Sequence, residues 1–196
     1  MDTDIKLFKA AKGPAIVTAL LLLVPLSFKF FTAEMAWTLS DFISAGALIF
    51  STGFAYKLIT RILEPRRENS IIYRVAVGFA LFTGLFLIWV NLAVGIIGSE
   101  DNAINGLYFC VIFIGIIGAF IARFKPKGMS LTMYGMAITQ AIIAIIALFN
   151  GMAGATGSSA YEILAVNGFF ITLFVVSAIV FQYAAQKQKP DNAEEA

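Results

Sequence analysis

Six runs of about twenty mainly apolar residues, joined by short polar links, leave this chain few ways to fold. A helix needs about 20 apolar residues to cross the hydrocarbon core of a bilayer. The stretches 14–32, 40–60, 72–97, 105–123, 131–149 and 163–185 each supply that length. Composition agrees: 60% of the 196 residues are hydrophobic, 13% are charged, and the mean hydropathy is +0.87. A soluble domain is about 45–50% apolar and about 25% charged, so a soluble globular protein and intrinsic disorder are both excluded. The expected fold is all-α, a polytopic bundle of six transmembrane helices spanning 14–185. Residues 1–13 form an N-terminal segment outside the bilayer, and 186–196 a polar tail expected to be disordered. The links are short, so consecutive helices should be antiparallel neighbours.

Lysine and arginine orient the bundle. Lys6, Lys9 and Lys12 precede the first helix, and Lys57, Arg61, Arg66, Arg67 and Arg74 surround the link between the second and third. Arg123, Lys125 and Lys127 join the fourth helix to the fifth, and Lys187 and Lys189 follow the sixth. With six helices, all of these fall on one side of the membrane. The opposite loops, 33–39, 98–104 and 150–162, contain no basic residue. The positive-inside rule then puts both termini in the cytoplasm. Lys29, near the outer end of the first helix, is the exception. The basic start and the apolar run 15–28 also have the outline of a signal peptide. Cleavage after Ala33 would need a small residue where Phe31 stands, so the first helix is expected to be kept.

The missing residue types bound the chemistry. The chain has no histidine and one cysteine, Cys110. The commonest ligand for haem, zinc and copper and the usual general base are therefore absent, as are the means for a disulfide or thiolate cage. Phosphate-binding loops, nucleophile elbows and dinucleotide turns do not occur either. No cofactor, metal or nucleic-acid partner is expected, nor enzymatic activity. Cys110, within an apolar run, reads as a small core residue.

Small residues mark packing faces where helices meet in lipid. Ala80, Gly84, Asn91, Gly95 and Gly98 share a face of the third helix; Gly115, Gly118, Ala119 and Ala122 share one of the fourth. Ala137, Gln140, Ala144, Ala147 and Gly151 share one of the fifth, and Asp41, Ser44, Ala45, Ser51, Thr52 and Ala55 lie along a stripe of the second. A polar side chain in a bilayer is costly and turns toward the bundle. Lys29, Asp41, Asn91, Gln140 and Asn167 are thus candidates for a polar chamber open to the outside, with Asp41 as its protonatable or cation-binding group. The structural alternative is that Asp41 caps the second helix or pairs with Lys29, with Thr38 and Ser40 as further caps, while the amides bind helices together.

Two loop features complete the reading. Glu100 and Asp101 offer oxygen ligands for a weak cation contact, or a helical hairpin in which Asp101 or Asn102 caps the fourth helix. Arg61, Arg66, Arg67, Arg123, Lys125 and Lys127 read as anchors for anionic lipid, or as a docking surface for a protein. Trp37, Trp89, Tyr73 and Tyr161 read as interfacial aromatics. A shift of 59 residues also aligns Asn91 with Asn150, Gly95 with Gly154, Gly98 with Gly157 and Ser99 with Ser158, a faint parallel repeat of helical hairpins.

The stretch Val90-Asn91-Leu92-Ala93-Val94-Gly95-Ile96-Ile97-Gly98-Ser99-Glu100-Asp101-Asn102 resembles a signature of small multi-pass membrane proteins of bacteria, a family of unknown activity. Trp37-Thr38-Leu39-Ser40-Asp41-Phe42, Ile121-Ala122-Arg123-Phe124-Lys125-Pro126 and the segments Asn167-Gly168-Phe169-Phe170 and Ser177-Ala178 look similar to the same group. The resemblance covers roughly 37–185. It implies a bacterial inner-membrane location and brings no site residue. The expected function is that of a non-enzymatic accessory, assembly or scaffold module, associating with a membrane-protein partner or with itself. A small solute or ion transporter using the Asp41 chamber is the alternative.

Overall fold

A computed structural model describes residues 2–31, 37–63, 71–155 and 157–187. The described residues are all-helical, without strands. The long helices are α1 (Asp2–Phe31), α2 (Leu39–Leu58, continued by a π-helical turn over Ile59–Leu63), α3 (Ile71–Ala93), α4 (Tyr108–Ile121, entered through a 3-10 turn over Ala103–Leu107), α5 (Pro126–Phe149) and α6 (Ala160–Gln186). Six spans, Leu7–Lys29, Leu39–Arg61, Ile71–Ala93, Ala103–Ile121, Pro126–Phe149 and Ala160–Gln186, are long and apolar enough to cross a membrane. This fits a multi-pass membrane protein.

Several of the expected boundaries move; the fifth helix begins at Pro126 and the sixth at Ala160, each a few residues early. The first helix begins at Asp2, because the alanines, lysines and leucine before Pro14 are good helix formers and carry the helix outward. The third helix ends at Ala93, four residues early: Gly95 (φ +78°) and Gly98 (φ +71°) take left-handed conformations that end an α-helix. The apolar Ile96 and Ile97 between them made this stretch read as helix.

The chain forms two compact units, Met1–Pro65 and Arg66–Ala196. The first is the α1–α2 hairpin. A Cβ placed on Gly53 would lie 3.2 Å from Pro14 Cβ, and one on Gly46 would lie 3.2 Å from Leu22. The two helices therefore run antiparallel over a seam of small residues on α2, where Ala45 is buried.

The second unit is a bundle of α3, α4, α5 and α6. Its largest interface joins α5 to α6, with α4 also against α5 and α3 against α6. Its seams follow a 4-3 spacing. On α6, Ile163, Asn167, Phe170, Phe174, Ser177, Phe181 and Ala184 are buried. On α5, Met129, Met133, Met136, Gln140, Ile143 and Ala147 are buried at the same intervals. Tyr73, Val77, Ala80, Leu87 and Asn91 keep the register on α3. Alternating steps of four and three residues average 3.5 per turn, the period of left-handed, knobs-into-holes packing. Where α4 crosses α5 the fit is closest: a Cβ on Gly118 would lie 2.6 Å from Thr132, and one on Gly115 would lie 2.8 Å from Met136 Sδ. The expected small face of α4 is thus its contact with α5.

Candidate functional site

The five candidate chamber residues divide between the units: Lys29 and Asp41 belong to the first, Asn91, Gln140 and Asn167 to the second. Asp41 is exposed and stands at the third position of α2, where the backbone N–H groups of a helix start lack internal partners. Its Oδ2 accepts from the Thr38 N–H (2.7 Å) and the Thr38 hydroxyl (2.8 Å), while Thr38 Oγ1 accepts from the Asp41 N–H (3.3 Å). This is a capping box. Lys29 Nζ donates to the Trp37 carbonyl at 2.6 Å and lies 5.9 Å from the centre of the Phe42 ring. Both side chains thus tie the turn between α1 and α2.

In the second unit the amides sit on the seams. Asn167 of α6 (1% exposed) donates from Nδ2 to the Ile163 carbonyl one turn back (2.8 Å), which turns its Oδ1 toward the bundle. That oxygen accepts from the Tyr108 hydroxyl of α4 (3.0 Å) and from Gln140 Nε2 of α5 (3.1 Å). Three helices thus meet on one buried oxygen. Tyr108 is a residue that sequence reasoning missed. The signal was its place three residues before Val111 and seven before Gly115, on the small face of α4.

Asn105, also missed, organises the nearby loop. Its Oδ1 accepts from the N–H groups of Ile96 (3.2 Å) and Ile97 (3.0 Å); its Nδ2 donates to the carbonyls of Ile97 (3.2 Å) and Ser99 (2.8 Å). Asn91 of α3 donates to the Asn105 carbonyl (3.0 Å), which also takes the N–H of Tyr108. One buried side chain thus replaces the pairing that backbone leaving a helix would otherwise lack. The loop's glycines fit this requirement: a Cβ on Gly95 would fall 2.6 Å from the Ser99 backbone and 2.8 Å from Asn105 Nδ2. The Gly98 N–H donates to Ser158 Oγ (2.9 Å), linking this loop to the one that follows α5.

The 59-residue repeat has a backbone counterpart in part. Gly154 (φ +83°) and Gly157 (φ +84°) share the positive φ of Gly95 and Gly98. The polar anchoring is not repeated: Asn150 bonds its own helix at the Ile146 carbonyl and is exposed, whereas Asn91 is buried.

Glu100 and Asp101 are exposed, and no group of three or more Cys, Asp or Glu that could hold a metal ion occurs among the described residues. Asn102 caps the 3-10 turn, its Oδ1 accepting from the Ile104 N–H (3.3 Å). Arg61 is exposed at the end of α2. Arg123, Lys125 and Lys127 are exposed at the α4–α5 corner, and Arg66 and Arg67 lie outside the described residues. That corner is strained, with Arg123 (φ +50°) and Phe124 (φ +58°) both left-handed without being glycine. Tyr73 holds it by donating to the Phe124 carbonyl at 2.5 Å.

Two expectations need correction. Tyr73, expected as an interfacial aromatic, does not face outward: it is fully buried against Phe181, ring centres 5.8 Å apart. Cys110 is exposed on α4 rather than in the core. An apolar run has the same composition on its lipid-facing and inward sides, so hydropathy cannot distinguish them.

No protein-family model matches the chain, and no curated protein and no solved structure matches it either.

Proposed function

We propose that this chain is a non-enzymatic scaffold or accessory module of the bacterial inner membrane, with both termini in the cytoplasm. The observation that carries the reading is the use of Asn167 Oδ1: Tyr108 and Gln140 both donate to it. Tyr108, Gln140 and Asn167 serve one another across three helices. An amide on a 4-3 seam fixes register and partner choice, the task of a module that must associate in one way. Asp41, engaged by Thr38, serves the helix start.

The one-sided distribution of lysine and arginine supports the orientation, and Arg123, Lys125 and Lys127 would anchor that side to anionic lipid. The resemblance of residues 37–185 to small bacterial multi-pass proteins is part of the same reading. The expected partner is another membrane protein or a second copy of this chain. Native mass spectrometry of the protein taken from its own membrane into lipid nanodiscs tests this. A stoichiometric hetero- or homo-complex is the expected result; a lone monomer retaining a small solute would favour transport.

A further inference from the structure

The cluster at Asn167 leaves one group unmet. Because Asn167 Nδ2 is committed to Ile163, its Oδ1 can only accept, and Gln140 must present its NH₂ there. Gln140 Oε1 is thereby turned away and has no partner, although the side chain is 0% exposed. An amide carbonyl out of water without a donor is expensive, and such groups usually hold an ordered water. The Tyr108 hydroxyl spends its proton on Asn167 and keeps lone pairs. Thr83 and Ser177, buried in the same unit, likewise donate to their own helices at Phe79 and Leu173. No charged side chain is buried among the described residues. The unmet capacity is therefore neutral and accepting. It suits a small uncharged hydrogen-bond donor and lacks the carboxylates that a divalent cation requires.

We propose that the Tyr108–Asn167–Gln140 cluster is an internal water-binding site of the four-helix unit, with Gln140 Oε1 as its principal acceptor. The packed oxygen has no exposed surface, so water enters by a small separation of α5 from α6. The residues on α5 one turn to either side of Gln140 are Ala137 and Ala144, short side chains that leave little to displace. A hydrated group inside the seam between these helices goes beyond the scaffold reading, because adhesion alone does not need it. The test below is independent of whether a partner is found.

The experiment is radiolytic hydroxyl-radical labelling of the full chain in lipid nanodiscs in ¹⁸O-water, read by mass spectrometry. Radicals formed from a bound water label the side chain beside it. After correction for intrinsic reactivity, Tyr108 (1% exposed) should be labelled several-fold faster than Phe174 of α6 (0% exposed), and Gln140→Leu should bring Tyr108 down to the rate of Phe174. Equal rates in the unaltered protein would overturn the proposal, and this comparison needs no variant. Fast Tyr108 labelling that persists in folded Gln140→Leu protein would overturn the role of Gln140.

Discussion

The two units use polar residues in opposite ways. In the α1–α2 hairpin the bonded polar cluster lies at an end: Asp41 and Thr38 satisfy each other at the start of α2, and Lys29 closes the turn on the Trp37 carbonyl, while the interior Thr18 hydroxyl is buried without joining α1 to α2. In the four-helix unit they lie inside, with Asn91, Asn105, Tyr108, Gln140 and Asn167 all buried and bonded between elements. The difference teaches where the cost of a polar group falls. At an exposed helix end, solvent or headgroups can replace a lost partner. Within the bundle bulk solvent does not, so removing one protein partner leaves another without its bond.

Stability measured by steric trapping in bicelles should rank substitutions accordingly. Asn105→Ala should cost most, about 3 kcal/mol, because it strands the buried N–H groups of Ile96 and Ile97 together; a cost near that of a surface change would break the contrast. Gly95→Ala follows at about 2–3 kcal/mol, since a side chain there meets both a left-handed backbone and the Ser99 carbonyl. Asn167→Leu should cost about 2 kcal/mol by stranding donors on Tyr108 and Gln140 without opening a cavity. In the hairpin, Thr38→Ala should cost about 1 kcal/mol as a lost N-cap, and Asp41→Asn, which keeps an acceptor at an exposed site, less than any of these. Solute flux unchanged by Asp41→Asn in proteoliposomes would sharpen the contrast; flux abolished with the protein still folded would make Asp41 a transport residue.

Much of this fold was legible in the sequence. The apolar runs located six helices, and small residues located the face of α4 that meets α5. The 4-3 spacing of Ile163, Asn167, Phe170 and Phe174 was there to be read as well. The end of α3 was not, because Ile96 and Ile97 are as apolar as helix residues, and only the conformation of Gly95 distinguishes them. The site was half legible. Asn91, Gln140 and Asn167 stood out as polar residues on small faces, yet their partners did not. Tyr108 bonds a residue 59 positions away, and hydropathy carries no such pairing. Asn105 lay where the fourth helix was expected to begin, and the sequence does not show that its side chain reaches back to Ile96 and Ile97. Grouping Asp41 with the buried amides followed from its depth and its place on the stripe of α2; the capping alternative was equally legible, and the Thr38 bonds decide for it.

A double-mutant cycle on Tyr108→Phe and Asn167→Leu tests most directly whether the interior amides hold the helices together. The account predicts that each change destabilises the folded protein and that the pair is coupled by about 1 kcal/mol, within the range for hydrogen bonds between membrane helices. Single changes that leave stability unaltered and combine additively would contradict it.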